Sequence, residues 1–139
     1  MSAAVPVVVP GWPTPKGYAN GMITEGRTLH VAGQIGWDEH GQFHSDDLIA
    51  QFDQALANVV AVVTAAGAEV TAIASMTVYV TEIETYRARA RELGPIWRAR
   101  LGKHYPAMAL VAVVALVEPR AKVEIQVVAA LPSGSSSPA

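Results

Sequence analysis

From Asp46 onward, Leu48, Ile49, Phe52, Ala55, Leu56, Val59, Val62 and Val63 recur at three- and four-residue steps, the spacing that lays one apolar stripe along an α-helix. Ser45 is placed to cap that helix, Asp46 and Asp47 suit the positive end of its dipole, and Gly67 stops it. Between Ile73 and Thr81 the period drops to two. Ser75, Thr77, Tyr79 and Thr81 share one face and Ala74, Met76, Val78 and Val80 the other, which predicts a strand covered at least partly on both sides. A second helix is predicted from Glu82, with Tyr86, Ala90, Leu93, Trp97 and Leu101 on its stripe. Gly94-Pro95 is expected to kink or split it, because proline removes a helix hydrogen bond and clashes with the preceding turn.

The rest of the pattern is β-like. His104 to Leu131 holds two β-forming runs, Ala107 to Val117 and Lys122 to Ala130, joined by a turn at Glu118-Pro119-Arg120. Near the N-terminus, Val7 to Val9 suits a short edge strand. Met22 to Thr24 and Thr28 to Ala32 flank Glu25-Gly26-Arg27 as a hairpin would, with Leu29 and Val31 alternating against Thr28, His30 and Ala32. Gly33 to Asp38 is a strand end running into a loop that contains Gly41. Strands, helix, strand, helix, strands is the order of an α+β fold, a mixed sheet with both helices on one face. Strands that are apolar on both sides would leave the other face in need of cover. Oligomerisation supplies that cover, and clefts between subunits are natural sites for small ligands. Residues 1–131 are expected to form a single domain, and 132–139, PSGSSSPA, a flexible tail.

Composition removes several function classes. No cysteine is present, which excludes disulfides, thiolate metal sites and a cysteine nucleophile. A net charge of −2 offers no field for a phosphate backbone, so no nucleic-acid partner is expected. Arg87, Arg89, Arg91, Arg98 and Arg100 interleave with Glu82, Glu84 and Glu92, which describes a solvated helix face with ion pairs. The longest apolar run, Ala107 to Val117, is about half the length of a membrane helix, so no membrane association is expected. The N-terminal apolar patch has no preceding Lys or Arg and is broken by Pro6 and Pro10, unlike a signal peptide; a soluble, cytoplasmic protein is expected. His40 and His44 flank Gly41 in a loop without a third ligand, and Gly33-Gln34-Ile35-Gly36 lacks the helix that a phosphate loop needs. Neither a metal nor a cofactor is expected.

One carboxylate stands out. Glu124 is the acid of the second β-run and sits between Val123 and Ile125, where a carboxylate tends to be paired or functional; a plain solvent-facing position is the competing reading. Together with it, Gly33-Gln34-Ile35, Gln54-Ala55-Leu56-Ala57-Asn58, Ala66-Gly67, Thr77-Val78-Tyr79-Val80-Thr81 and Tyr105-Pro106-Ala107 follow the order and spacing of a known family. Over roughly Tyr18 to Leu131 the chain resembles the RidA (YjgF/YER057c/UK114) family, also described as endoribonuclease L-PSP-like. The resemblance implies a chorismate-mutase-like α+β fold and a homotrimer with small-molecule clefts between subunits. It also implies hydrolysis of reactive enamines and imines, such as 2-aminoacrylate, to keto acids and ammonia. Glu124 falls on the glutamate that helps position the attacking water.

The resemblance breaks at three polar positions. The arginine that follows Pro-Ala and grips the substrate carboxylate is Met108 here, the second-helix asparagine is Gly94, and the serine after the N-terminal tyrosine is Ala19, following Tyr18. Methionine offers a weak acceptor where a guanidinium makes a bidentate clamp, a loss of roughly 1.5–3 kcal/mol. Action on 2-aminoacrylate itself is therefore not expected. Tyr18, Gly33, Gln34, Trp37, His104 and Met108 are the candidate substrate-binding residues, with Met108 as an apolar pocket wall or as plain core, and His104 at the pocket mouth or as a capping residue. Trp97 fits the buried stripe better than a pocket. Two functions stay open: a deaminase of altered specificity in which Glu124 positions water, and a trimeric protein that binds a small metabolite without catalysis.

Overall fold

A computed structural model describes residues 4–131, so the proposed tail at 132–139 lies outside the described residues. The long helix α1 is Leu48–Ala65. Asp47 rather than Ser45 is its cap, because Ser45 Oγ accepts the Asp47 N–H while Asp47 Oδ2 accepts the Ala50 N–H at 3.1 Å. Its end is set by Gly67, whose φ of 82° a side chain would resist. By length and composition α1 could cross a membrane, yet Leu48, Phe52, Leu56, Val59 and Val63 are buried in the core. Burying each of these is worth about 1.5–3 kcal/mol.

The ribbon β1 (Ala4–Pro6) and β2 (Met22–Thr24) is a separate hydrogen-bonded pair beside a four-stranded sheet. That sheet holds β3 (Arg27–Ile35), β4 (Ile73–Val80), β5 (Ala107–Ala112) and β6 (Val123–Leu131), in the order β3-β6-β4-β5. β6 runs antiparallel to both neighbours and β5 parallel to β4, which makes the sheet mixed as expected. The second helix divides into α2 (Ile83–Arg89) and α3 (Leu93–Leu101) around a 3-10 turn at Ala90–Glu92. The break falls one turn before Pro95, at the carbonyls its ring would strike. Pro95 then sits in the first turn of α3, where a missing N–H leaves no partner unsatisfied.

Three strand expectations need correction. The hairpin around Gly26 does not form, since β2 pairs with β1 and not with β3. The N-terminal strand is Ala4–Pro6 rather than Val7 to Val9, and only the Val7 N–H, donating to the Gly21 carbonyl at 3.0 Å, continues it. β5 stops at Ala112 instead of Val117 because its partner β4 ends at Val80; the last rung is the Val113 N–H to the Val80 carbonyl at 2.9 Å. Beyond it, Val114 and Val117 are fully exposed. The turn after Glu118 exists, closed by the Ala121 N–H at 3.0 Å, but the strands it joins are separated by β4.

Helices α1 and α3 cover one face. Val123, Ile125, Val127 and Ala129 of β6 and Met76, Val78 and Val80 of β4 are buried against them, together with Trp97 and Leu101. The opposite face carries Ser75, Thr77 and Tyr79 of β4, Glu124, Gln126 and Val128 of β6, and Thr28 and His30 of β3. With Ala107, Ala109 and Val111 of β5 beside them, the face is mixed, largely polar across β4, β6 and β3 and apolar along β5, and so less uniformly apolar than the sequence reading supposed.

Candidate functional site

Glu124 lies on this uncovered face, at the end of the sheet where β6 begins and β3 and β4 finish. On β6 it is the register partner of Tyr79 on one side and of Ile35 on the other. Between Val31 and Gln34 the β3 register shifts, and this bulge brings Gly33 against the Glu124 side chain. A Cβ added to Gly33 would stand 2.6 Å from Glu124 Cδ and 2.8 Å from Oε2, so only glycine leaves the half-buried carboxylate its place. Gln34 turns its amide onto its own strand, with Nε2 donating to the Ala32 carbonyl at 3.1 Å. Trp37 follows at the same end of the sheet. Its carbonyl accepts from Asn58 Nδ2 at 2.8 Å, and its ring meets Phe43 with 5.9 Å between centroids.

Tyr79 and Gln126 complete the surroundings of Glu124, and sequence reasoning did not name them as site residues. Tyr79 Oη donates to Gln126 Oε1 at 3.5 Å. The signal was available: period two puts Tyr79 on the polar face of β4, and Gln126 is two positions after Glu124.

The remaining candidates gather at the start of β5. The Ala19 N–H donates to the Pro106 carbonyl at 2.9 Å and Ala19 bridges Ala107, which anchors Tyr18 beside Tyr105. Tyr18 and His104 line a mostly apolar groove of about 380 Å³ with Val7, Trp12 and Pro13. His104 is also a fastener. Its ring Nε2–H donates to the Ile73 carbonyl at 2.7 Å and its own carbonyl accepts from Trp97 Nε1 at 2.9 Å. Met108 packs on the helix side of β5, opposite Met76, and lines a second groove of about 220 Å³ with Gly94, Trp97, Tyr105 and Leu110. The Trp97 and Tyr105 rings stack there, 5.7 Å apart and 6° from parallel. Burial in the same groove raises the Tyr86 hydroxyl above its ordinary pKa.

Met108 and Glu124 do not meet within one chain. Their register partners on β4, Met76 and Tyr79, are three positions apart, and the two strands flank β4. That puts their Cα atoms about 14 Å apart, on opposite faces of the sheet. Of the arginines on α2 and α3, Arg87 is held by Glu84 at 2.7 Å, Arg89 by Glu92 at 2.8 Å and by Asp47, and Arg100 by Asp53 at 2.9 Å. These pairs hold three arginines of the basic helix face in ion pairs.

A one-sided α+β sheet with a glutamate cradled by a strand bulge on its uncovered face defines the class of subunit. The chain belongs to the RidA (YjgF/YER057c/UK114) family, whose model, described as endoribonuclease L-PSP, matches residues 13–131. It is 29% identical over 113 residues to the human 2-iminobutanoate/2-iminopropanoate deaminase, an alignment covering 81% of this chain and 78% of the human protein. Among solved structures, the Rid family protein YyfB from Yersinia pestis, a protein of unknown function, superposes with a TM-score of 0.78 at 27% identity, covering 93% of this chain and 99% of YyfB. TdcF from E. coli with bound serine superposes with a TM-score of 0.67 at 30% identity, covering 88% and 93%.

Proposed function

We propose that this protein hydrolyses small imines or enamines to carbonyl compounds and ammonia, at sites built between copies of the chain and with a substrate range shifted away from 2-aminoacrylate. The observation that carries this reading is the Glu124 carboxylate held against Gly33 on an uncovered sheet face. The deaminase activity of the human relative supports the reaction class. Glu124 accepts a proton from a water that attacks the C=N carbon, and that proton passes to the nitrogen. Glu124 then takes the hydroxyl proton of the resulting carbinolamine and passes it to the nitrogen, and as the C–N bond breaks ammonia leaves and the C=O product remains. Because Met108 and Glu124 occupy opposite faces of one chain, a site that uses both needs the β5 edge of one copy against the uncovered face of the next. A homotrimer meets that need.

The test is ammonia release from 2-imino acids generated in situ by an amino-acid oxidase, for wild type, Glu124→Gln and Met108→Arg. Glu124→Gln should lower kcat by about 100-fold or more with binding retained. Met108→Arg should lower KM for three-carbon substrates by about tenfold. A wild type that turns over no imine, or a Glu124→Gln protein with wild-type turnover, would sink the enzyme reading.

A further inference from the structure

The hydrolase reading leaves the substrate carboxylate without the arginine that Met108 replaces, and another arginine, Arg98 of α3, reaches Gly94, which lines the groove beside Met108. We propose that Arg98 selects the substrate: its guanidinium, laid over Gly94 at the rim of the Met108 groove, receives the carboxylate of a 2-imino acid with an apolar side chain longer than that of 2-aminoacrylate. This rests on the hydrolase reading for the reaction, but not for the binding of the acid.

Helix side chains lean toward the N-terminus, so Arg98 reaches back over the residue four positions before it. Its Nη1 and Nη2 lie 3.7 and 3.8 Å from where a Gly94 Cβ would stand, which brings both tines of the fork to the glycine. Gly94 lines the groove with Met108, Trp97 and Tyr105. With no side chain at position 94, nothing on that residue separates the guanidinium from the groove. Arg98 also has no carboxylate partner among the described residues, unlike Arg87, Arg89 and Arg100, so its donors are not committed elsewhere.

The groove itself is apolar. The stacked Trp97 and Tyr105 rings, Met108 and Leu110 suit a branched aliphatic tail, and a cationic fork at the rim suits the acid head. A carboxylate gripped from α3 instead of β5 is held above the groove floor. A substrate must then be long enough to place its tail on Met108 while its C=N carbon stays at the mouth, where Glu124 of a second copy would meet it.

The experiment is calorimetric binding of 4-methyl-2-oxopentanoate, its carboxamide and pyruvate to the full-length protein, for wild type, Arg98→Gln and Arg98→Lys. Arg98→Gln should weaken the longer oxo acid by about tenfold and leave the carboxamide unchanged, with part of the loss restored by Arg98→Lys. In turnover of the matching imino acid, KM should rise while kcat holds. Unchanged acid binding in Arg98→Gln, or a carboxamide that binds wild type as tightly as the acid, overturns the assignment. Failure of the hydrolase reading looks different, since wild type would then bind the oxo acid through Arg98 and release no ammonia from the imine.

Discussion

Gly33→Ala places one methyl group against the carboxylate on which the functional reading depends. The added Cβ would lie 2.6 Å from Glu124 Cδ and 2.8 Å from Cγ and Oε2. Carbon contacts settle near 3.5–4.0 Å, so the Glu124 side chain must retreat by about 1 Å. Every atom in the way belongs to the end of a flexible side chain, and Gly33 is not among the glycines with positive φ, so the backbone accepts alanine. A strained rotamer costs about 0.5–1.5 kcal/mol, offset by about 0.4–1 kcal/mol from the stiffer unfolded chain. Stability should therefore change by less than about 1 kcal/mol, whereas displacing a catalytic group by about 1 Å costs on the order of 100-fold in rate. A thermal melt and the ammonia assay, run on the same preparation, read the two effects separately. Wild-type activity in a folded Gly33→Ala protein would show that the Glu124 carboxylate is not at the reacting carbon.

Gln51→Ala should cost about 2–4 kcal/mol in urea unfolding, since it removes three buried hydrogen bonds at once. Gln51 is 1% exposed; its Nε2 donates to the Ser45 and Arg120 carbonyls, each at 3.0 Å, and its Oε1 accepts the Lys122 N–H at 2.8 Å. Asp38→Asn should lose stability at neutral pH and converge with wild type in acid. The Gln42 amide, with His44 and the His40 amide, holds the Asp38 carboxyl down from 3.8 to about 2. A depressed folded pKa stabilises fully above the unfolded value, and that contribution disappears as pH falls from 3.8 toward 2. Urea midpoints of both proteins between neutral pH and the acid limit check this, and a gap that persists unchanged at the acid end refutes it.

Period and spacing made the long elements legible. The α1 stripe, the alternation of β4 and the Leu93, Trp97, Leu101 face of the split helix all follow from local chemistry, because each buries a repeating set of side chains against one layer. Strand partners did not follow. Whether β2 joins β1 or β3 depends on where the chain returns, and β5 ends where β4 ends, a fact written some thirty residues away. Gln51 reads as a flaw in an apolar stripe until the Lys122 loop arrives to use it. At the site, Glu124 was visible as an acid among β-branched neighbours. The bulge that makes Gly33 its cradle was not, because register shifts leave no periodic mark.

The uncovered face also changes the argument for assembly. Burial of an apolar sheet face was the reason given by the sequence for expecting an oligomer, but that face carries Thr77, Tyr79, Glu124, Gln126 and His30. Val111 of β5, 43% exposed, lies on it beside Tyr79, and further large exposed apolar side chains lie off it, at Val114 and Val117 of the loop after β5 and at Val8, Trp12 and Ile23 of the N-terminal segment. A largely polar sheet face closed by apolar rims on a neighbouring copy would leave a site wet enough for hydrolysis and still bury surface to hold the copies together. Activity should then depend on assembly and not only on folding. Sedimentation should give a trimer. In a dilution series, turnover per chain should fall over the same range in which the copies separate, with helicity by circular dichroism retained. A folded monomer with full turnover would refute the two-copy site, because no single chain brings the Met108 groove to Glu124.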